Sequence, residues 1–195
     1  MNKTIIRSIV VIAIAILVSF FIVKMNEPFV LELQGYSLYL WAAVIAFMIN
    51  WIAFIPSYIF QTEHYYDITG TVTYFGILVF LFLSADVTSN SRGLILIILP
   101  AIWTLRLGSF LFTRIQKSGK DTRFDHIKPN FFRFLTAWTL QALWVFLTLS
   151  AVIAVVASTL QYRLDIFALI GGLVWLVGFG IEAVSYTHLT LPTKA

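Results

Sequence analysis

One short segment of the chain carries most of the groups that could move a proton. Residues 61–67 read Gln-Thr-Glu-His-Tyr-Tyr-Asp and bring together a carboxamide, two carboxylates, an imidazole and two phenols. Such groups can donate a proton to a bound substrate or shuttle one. The alternative is an interfacial belt, in which the tyrosines lie at headgroup depth and the acids are solvated. Glu63 and His64 alone make no metal site, and none is predicted.

A basic stretch, residues 106–130, has the composition of an anion site. It contains six Arg or Lys residues, among them Arg114, Lys120 and Arg123. Arginine suits phosphate and carboxylate ligands because its planar guanidinium can donate two parallel N–H bonds. The competing interpretation is an ordinary basic loop that contacts anionic lipid headgroups.

Four polar residues, of which Arg106 also begins the basic stretch, lie inside apolar segments. Arg106 is costly at membrane depth unless it is paired or faces a wet cavity. Glu182 lies near the same depth and could be its counter-ion or a ligand contact. Asn50 and Gln141 are predicted to form hydrogen bonds between helices.

The composition of the chain places these groups in a membrane. Of 195 residues, 60% are hydrophobic and 11% are charged, against roughly 45–50% and 25% in soluble domains. The chain has no cysteine, which excludes disulfides and thiolate chemistry. The basic residues flank apolar segments, so nucleic acid is not an expected partner; membrane lipids are.

The apolar segments predict an all-α, polytopic membrane bundle of about six transmembrane helices. A span needs roughly 20 mostly apolar residues. The predicted spans are residues 5–23, 36–60, 72–85, 94–112, 132–158 and 166–184. The third is short, so it could start earlier, near Ile68. Glycines in the last span suit close helix packing, namely Gly171, Gly172, Gly178 and Gly180.

The distribution of Lys and Arg predicts the orientation. With the N-terminus inside, eight basic residues fall on that side: Lys3, Arg7, Arg114, Lys117, Lys120, Arg123, Lys128 and Arg133. The other side receives three, Lys24, Arg92 and Arg163. Since basic loops stay in the cytoplasm, the N-terminus and both polar clusters are predicted to be cytoplasmic.

Several segments, taken together, resemble bacterial membrane proteins of the steroid 5-alpha-reductase superfamily. The resemblance runs from about the second span to Val184. It is carried by residues 54–57 (Phe-Ile-Pro-Ser), 61–70, 103–109 (Trp-Thr-Leu-Arg-Leu-Gly-Ser), 119–125 (Gly-Lys-Asp-Thr-Arg-Phe-Asp), 128–130 (Lys-Pro-Asn) and 137–144 (Ala-Trp-Thr-Leu-Gln-Ala-Leu-Trp). Each segment is weak by itself, and together they are specific.

The resemblance implies an integral membrane reductase, an NADPH-dependent oxidoreductase acting on CH–CH groups, in a bacterial inner membrane. Its substrate would be a lipidic or steroid-like enone, which receives a hydride at the beta carbon and a proton from a protein acid. The family's Gln/Glu/Tyr group is matched by Gln61, Glu63 and Tyr66 as catalytic residues, although the local order differs. The implied cofactor-binding residues are Arg106, Arg114, Lys120, Arg123, Asp125 and Glu182.

The family's C-terminal part, a basic segment with an Arg-His-Pro-x-Tyr-like motif and the last spans, is missing from this sequence. We therefore expect residues 1–184 to be the N-terminal part of a longer domain, inactive as a fragment. Residues 185–195 are interpreted as a non-native tail that packs against nothing. Because related methyltransferases share the missing part, a lipid or prenylcysteine-type methyltransferase using S-adenosylmethionine stays open. So does a non-enzymatic membrane protein.

Overall fold

The described part of the chain folds into six long helices. The computed structural model describes residues 3–85, 87, 91–118, 121–160 and 163–189. Within these ranges the helices are α1 (Lys3–Asn26), α2 (Leu38–Ile59), α3 (Tyr66–Ser84), α4 (Ser91–Ser118), α5 (Phe131–Val156) and α6 (Ile166–Leu189). All six are long and apolar enough to cross a membrane. The predicted all-α bundle is confirmed, and the protein is a multi-pass integral membrane protein.

Two helices reach further than the apolar segments that predicted them. α3 begins at Tyr66 rather than at residue 72, and Asp67 in its first turn complements the helix dipole. α4 continues to Ser118, so Arg114 lies on a helix and not in a loop. Arg, Gln and Lys are good helix formers, so the helix continues past its apolar part.

The last helix also passes its predicted end. α6 was predicted to stop near Val184 and continues to Leu189. Ser185 Oγ donates to the carbonyl of Ile181 at 2.8 Å, as a residue within a helix can. Residues 190–195 of the predicted tail lie outside the described residues.

Side-chain caps fix where two of the central helices begin. Ser37 precedes α2, and its hydroxyl accepts the backbone N–H of Leu40 at 3.2 Å. Asn130 precedes α5 and accepts the N–H of Arg133 at 3.1 Å. Each cap pairs one of the N–H groups that a helix start leaves unsatisfied.

The two ends of the bundle differ in how their connections are tied. The far end carries the α1–α2, α3–α4 and α5–α6 connections. There β1 (Glu32–Leu33) pairs antiparallel with β2 (Tyr36–Ser37), and Leu31 N donates to Ala157 O at 2.6 Å. The opposite end carries the N-terminus and the α2–α3 and α4–α5 connections, and it is called the basic end below.

The tightest packing lies among α2, α3 and α5. Trp138, Phe134 and Phe146 on α5 are the largest fully buried side chains. Asn50 on α2 donates to Thr73 Oγ1 on α3 at 3.1 Å, and Gln141 Nε2 on α5 donates to Tyr66 O at 3.0 Å. The prediction that Asn50 and Gln141 bond between helices is therefore confirmed.

The glycines at close helix contacts are not those the sequence pattern favoured. A Cβ placed on Gly171, Gly172, Gly178 or Gly180 of α6 would meet nothing within 4 Å. A Cβ on Gly70 would lie 2.7 Å from Gln141 Nε2, and one on Gly108 would lie 2.6 Å from the Thr71 side chain. The close approach therefore occurs between α3 and its neighbours α4 and α5, and the prediction for α6 is wrong in this structure.

Candidate functional site

Glu63 ties the two connections of the basic end together. Its carboxylate forms an ion pair with Lys128 and accepts the backbone N–H of Asp121 at 2.9 Å. Glu63 is only 4% exposed, and Lys128 is also within 3.7 Å of Asp125. The α4–α5 connection is thus fastened over the α2–α3 connection by a buried pair of charges.

The electrostatics of Glu63 follow from these contacts. Burial by itself raises the pKa of the Glu63 carboxyl, because it penalises the charged form. The hydrogen bonds from Lys128 and from the Asp121 amide oppose this and win, so the net pKa lies below the ordinary value. Glu63 is therefore held as an anion, which makes it a poor proton donor at neutral pH.

Two further ion pairs surround the Glu63–Lys128 pair. Arg114 on α4 contacts Asp67 on α3 at 3.1 Å. Arg123 Nε donates to both carboxylate oxygens of Asp121 at 2.9 Å, and this bond lowers the pKa of Asp121 and raises that of Arg123. The two polar clusters read from the sequence, residues 61–67 and 106–130, do lie against each other.

The other two residues assigned to catalysis are bound to backbone carbonyls. Tyr66 donates from its hydroxyl to Ala137 O at 3.1 Å, and its ring packs against Phe124 with centroids 4.8 Å apart. Gln61 has a φ of 51°, in the left-handed region, and its Nε2 donates to Tyr58 O at 2.7 Å. Both side chains are engaged in local structure.

A second polar group lies at membrane depth. Glu182 on α6 contacts Arg106 on α4 at 2.9 Å and accepts the indole N–H of Trp103 at 2.6 Å. The Arg106 guanidinium lies 5.0 Å from the centre of the Phe179 ring, a cation–π distance. At 1.5 Å per residue, Arg106 and Glu182 lie about 22 Å and about 24 Å along their helices. Glu182 is therefore the counter-ion of Arg106.

Two adjoining cavities lie between α3, α4, α5 and α6. The larger has a volume of about 580 Å³. It is lined by Tyr74, Pro100, Trp103, Leu107, Trp144, Thr148, Leu149, Trp175 and Glu182. The smaller, of about 150 Å³, is lined by Asp67, Gly70, Thr71, Tyr74, Trp103, Thr104, Leu107, Gly108, Leu111, Gln141, Trp144 and Val145.

The cavities connect the two polar groups. Tyr74, Trp103, Leu107 and Trp144 line both, so the smaller cavity continues the larger one. The larger reaches Glu182 at membrane depth, and the smaller reaches Asp67, the partner of Arg114 at the basic end. An apolar ligand can lie in this space with a charged group at either end.

The structure places only part of the predicted site in these cavities. Glu182 lines the larger one, whereas Gln61, Glu63 and Tyr66 line neither. Lys120 lies outside the described residues. The functional roles assigned to all of these residues stay predictions.

The aromatic residues of the cavity walls were missed as site residues. Tyr74, Trp103, Trp144 and Trp175 are ordinary members of apolar spans in the sequence. One usable signal was the spacing of Trp103 and Arg106, because residues three apart share a helix face. A tryptophan beside an intramembrane arginine indicates a polar interior face.

The comparisons with known proteins identify the family of the chain. No curated protein and no solved structure matches it. Residues 53–190 match the family described as "Protein of unknown function (DUF1295)", which includes steroid 5-alpha-reductase-like membrane proteins. This segment covers α3, α4, α5 and α6 with both cavities, and the end of α2. The chain therefore belongs to the DUF1295 family of membrane proteins.

Proposed function

We propose that the protein is an NADPH-dependent membrane reductase of a lipidic activated alkene, such as an enone. One observation carries the proposal: the two adjoining cavities run from Asp67, the partner of Arg114 at the basic end, to an aromatic chamber at membrane depth. Such a space lets a water-soluble anionic cofactor and an apolar substrate approach each other. The sequence resemblance to the steroid 5-alpha-reductase superfamily supports the same reaction.

The cations at the basic end fit the phosphates of a dinucleotide. Arg114 and Arg123 have side chains that are 40% and 67% exposed, although each contacts a carboxylate. A guanidinium has five N–H donors, so either can bind a phosphate oxygen as well. Lys128 and Arg106 are less accessible, since each lies against its carboxylate partner with little exposure. Arg114 and Arg123 would hold the cofactor, which supplies a hydride when bound.

The chain's own contribution to the chemistry is a proton. Tyr74 lines both cavities, and its hydroxyl lies 2.5 Å from Thr148 Oγ1. A phenol in an apolar chamber can donate a proton to the substrate, and the bond to Thr148 orients it. Gln61, Glu63 and Tyr66 then act on the fold of the basic end, where Glu63 accepts the N–H of Asp121, the partner of Arg123. Trp103 and Trp144 exclude water from the reacting atoms.

A titration of the purified chain in detergent tests the proposal. We expect weak NADPH binding, detected as energy transfer from the cavity tryptophans to the nicotinamide. The double variant Arg114→Gln/Arg123→Gln should weaken this binding at least about tenfold further. Arg163→Gln is the matched control, because it removes an exposed arginine at the far end. Binding of S-adenosylmethionine with no response to NADPH would support a lipid methyltransferase instead.

The proposal includes an orientation, with the N-terminus and the basic end in the cytoplasm of a bacterial inner membrane. The excess of Lys and Arg at that end supports it. Reporter fusions after Thr62 and after Asn130 should give a cytoplasmic signal, and a fusion after Ser158 should give the opposite one. A periplasmic signal after Asn130 would contradict the orientation and remove the basic end from the cytosolic NADPH pool.

A further inference from the structure

The smaller cavity is lined by a buried threonine whose hydroxyl has no hydrogen-bond partner among the described residues. Thr104 on α4 is 2% exposed and lines this cavity, and its Oγ1 has no hydrogen-bond partner among the described residues. Other buried threonines here donate to the carbonyl four residues earlier, as Thr69 does to Tyr65 at 2.6 Å and Thr73 does to Thr69 at 2.7 Å. Leaving such a group unpaired costs stability, so it indicates an expected partner.

A second unpaired polar atom belongs to Gln141, another residue that lines the same cavity. Gln141 Nε2 donates to Tyr66 O, which can only accept, so the amide nitrogen must point that way. The Gln141 carbonyl oxygen is therefore turned away from Tyr66, and it has no partner among the described residues. Gly70 fixes this arrangement, because a Cβ there would lie 2.7 Å from Nε2. The orientation of the amide follows from its surroundings and is not arbitrary.

The two atoms together define the ligand group that satisfies them. Gln141 Oε1 can only accept, while the Thr104 hydroxyl can donate or accept. A ligand hydroxyl can donate to Gln141 and accept from Thr104, whereas an ether or ester has no hydrogen to give. A carboxylate or phosphate anion likewise has no hydrogen to give to Gln141 Oε1. The site therefore matches a neutral hydroxyl.

The adjoining larger cavity determines what the hydroxyl is attached to. Its walls carry the rings of Tyr74, Trp103, Trp144 and Trp175, and none of the α6 span that closes one side is buried. An apolar molecule can thus reach it from the bilayer. We infer that the two cavities bind a neutral lipid alcohol, with its hydroxyl between Gln141 and Thr104 and its apolar body in the aromatic chamber.

This inference goes beyond the proposed reduction, since it concerns binding alone and needs no cofactor. Water is the competing occupant, because a cavity of about 150 Å³ has room for several molecules at roughly 30 Å³ each. Water would satisfy the same two atoms but would not select among lipids. Discrimination between an alcohol and its ether therefore separates the two occupants.

The test uses the full chain in detergent with two probes, octadecanol carrying a photoreactive diazirine and the methyl ether of the same molecule. Competition should show the alcohol binding about tenfold more tightly, which corresponds to about 1.4 kcal/mol. Photolabelling should fall on residues of the two cavities. Thr104→Val, which keeps the side-chain shape, should bring the ratio of the two affinities close to one.

Thr71→Val is the matched control, because its hydroxyl belongs to the same cavity wall but already donates to Asp67 O at 3.3 Å. It should keep the wild-type ratio. Gln141→Leu is a second variant that should also abolish the ratio, with the unfolding temperature measured alongside because a helix–helix bond is lost. Equal binding of alcohol and ether, an unchanged ratio in Thr104→Val, or labelling only on the outer surface would each overturn the inference.

Discussion

Helices α5 and α6 have nearly the same hydropathy and opposite surroundings. The mean hydropathy of their best windows is 2.1 and 2.0, yet 44% of the α5 window is buried in the protein and none of the α6 window is. α5 presents Phe134, Trp138 and Phe146 to α2 and α3. Hydropathy therefore predicts that a segment enters the bilayer and says nothing about its neighbours there.

The two helices are also held by different forces. α5 is held by the fit of large apolar side chains, which forms a dense interior. α6 is held to α4 by a few polar contacts, those of Glu182 with Arg106 and Trp103 and that of Asp165 with Arg92 at 3.4 Å. Apolar packing therefore stabilises the centre of the bundle, whereas ion pairs and a hydrogen bond hold α6 on its outside.

The largest expected loss of stability tests whether packing holds α5 more firmly than α6. Trp138→Ala removes a fully buried indole and should lower the free energy of unfolding by about 3–5 kcal/mol. Trp175→Ala removes the same group from α6 and should cost less than about 1 kcal/mol. Both are measured by denaturant unfolding in detergent. Equal losses would show that α6 is packed as firmly as α5.

The next test asks whether the connections that join α2 to α3 and α4 to α5 also depend on a charge pair for their stability. Glu63→Gln removes the nearer carboxylate from the buried Lys128, with Asp125 still 3.7 Å away, and should cost about 3 kcal/mol. The double variant Glu63→Leu/Lys128→Met should recover much of this loss, because it removes both charges. Arg123→Gln, which breaks an exposed pair, is the control and should cost about 0–1 kcal/mol. If the double variant were no more stable than Glu63→Gln, the hydrogen bond to Asp121, and not the charge pair, would be the important contact.

The pH dependence checks the same pair independently. Because the pKa of Glu63 is lowered in the folded state, its contribution to stability is present above the ordinary value of 4.5 and is lost as pH falls through the lowered value. The unfolding free energy of the wild type should therefore fall more steeply below about pH 4.5 than that of Glu63→Gln. Parallel curves would assign the acid sensitivity to other carboxylates, with Asp121 the first candidate.

A smaller loss of stability is expected when the ion pair between α4 and α6 is removed. Glu182→Leu leaves Arg106 without its counter-ion at membrane depth and should cost about 2 kcal/mol. Arg106→Leu should cost a similar amount, and the double variant should cost less than the sum of the two. A double-mutant cycle should give a coupling of about 0.5–3 kcal/mol. Additive losses would mean that Trp103 and Phe179 hold the two residues separately.

The smallest expected effect compares glycines. Gly171→Ala on α6 meets open space and should raise stability by about 0.5–1 kcal/mol, because alanine favours a helix more than glycine does. Gly70→Ala on α3 meets Gln141 at 2.7 Å and should lower stability by about 1–3 kcal/mol. Denaturant unfolding should show changes in unfolding free energy of opposite sign for the two variants. A loss at Gly171 would mean that another surface covers α6 in the membrane.

The sequence was sufficient for the spans and suggested one ion pair. Hydropathy located all six helices, and similar depth suggested Glu182 as the counter-ion of Arg106 or as a ligand contact. Helix ends were less predictable, because outside the apolar part they depend on caps such as Asn130 and on helix propensity. The start of α3 at Tyr66 and the extent of α4 were missed for this reason.

The catalytic assignment shows the other limit of the sequence. The residue types at positions 61, 63 and 66 suit proton transfer, but where a side chain points depends on the rotation of its helix and on the loop that covers it. The Glu63 carboxylate forms an ion pair with Lys128, which lies 65 positions away in the chain. No local pattern encodes such a partner. Tyr74 was missed because a tyrosine in an apolar span looks like any other packed aromatic residue.

The position of α1 has a consequence for how the protein is made. α1 packs mainly on α5 and only weakly on α2, its neighbour in sequence. A chain synthesised from its N-terminus must insert α1 long before α5 exists, so α1 has to be stable in lipid by itself. It has the highest hydropathy of the six, 2.8, whereas α3, at 1.6, follows α2 into the membrane and bonds to Asn50 there. The order of synthesis thus explains which helix needs the most apolar sequence.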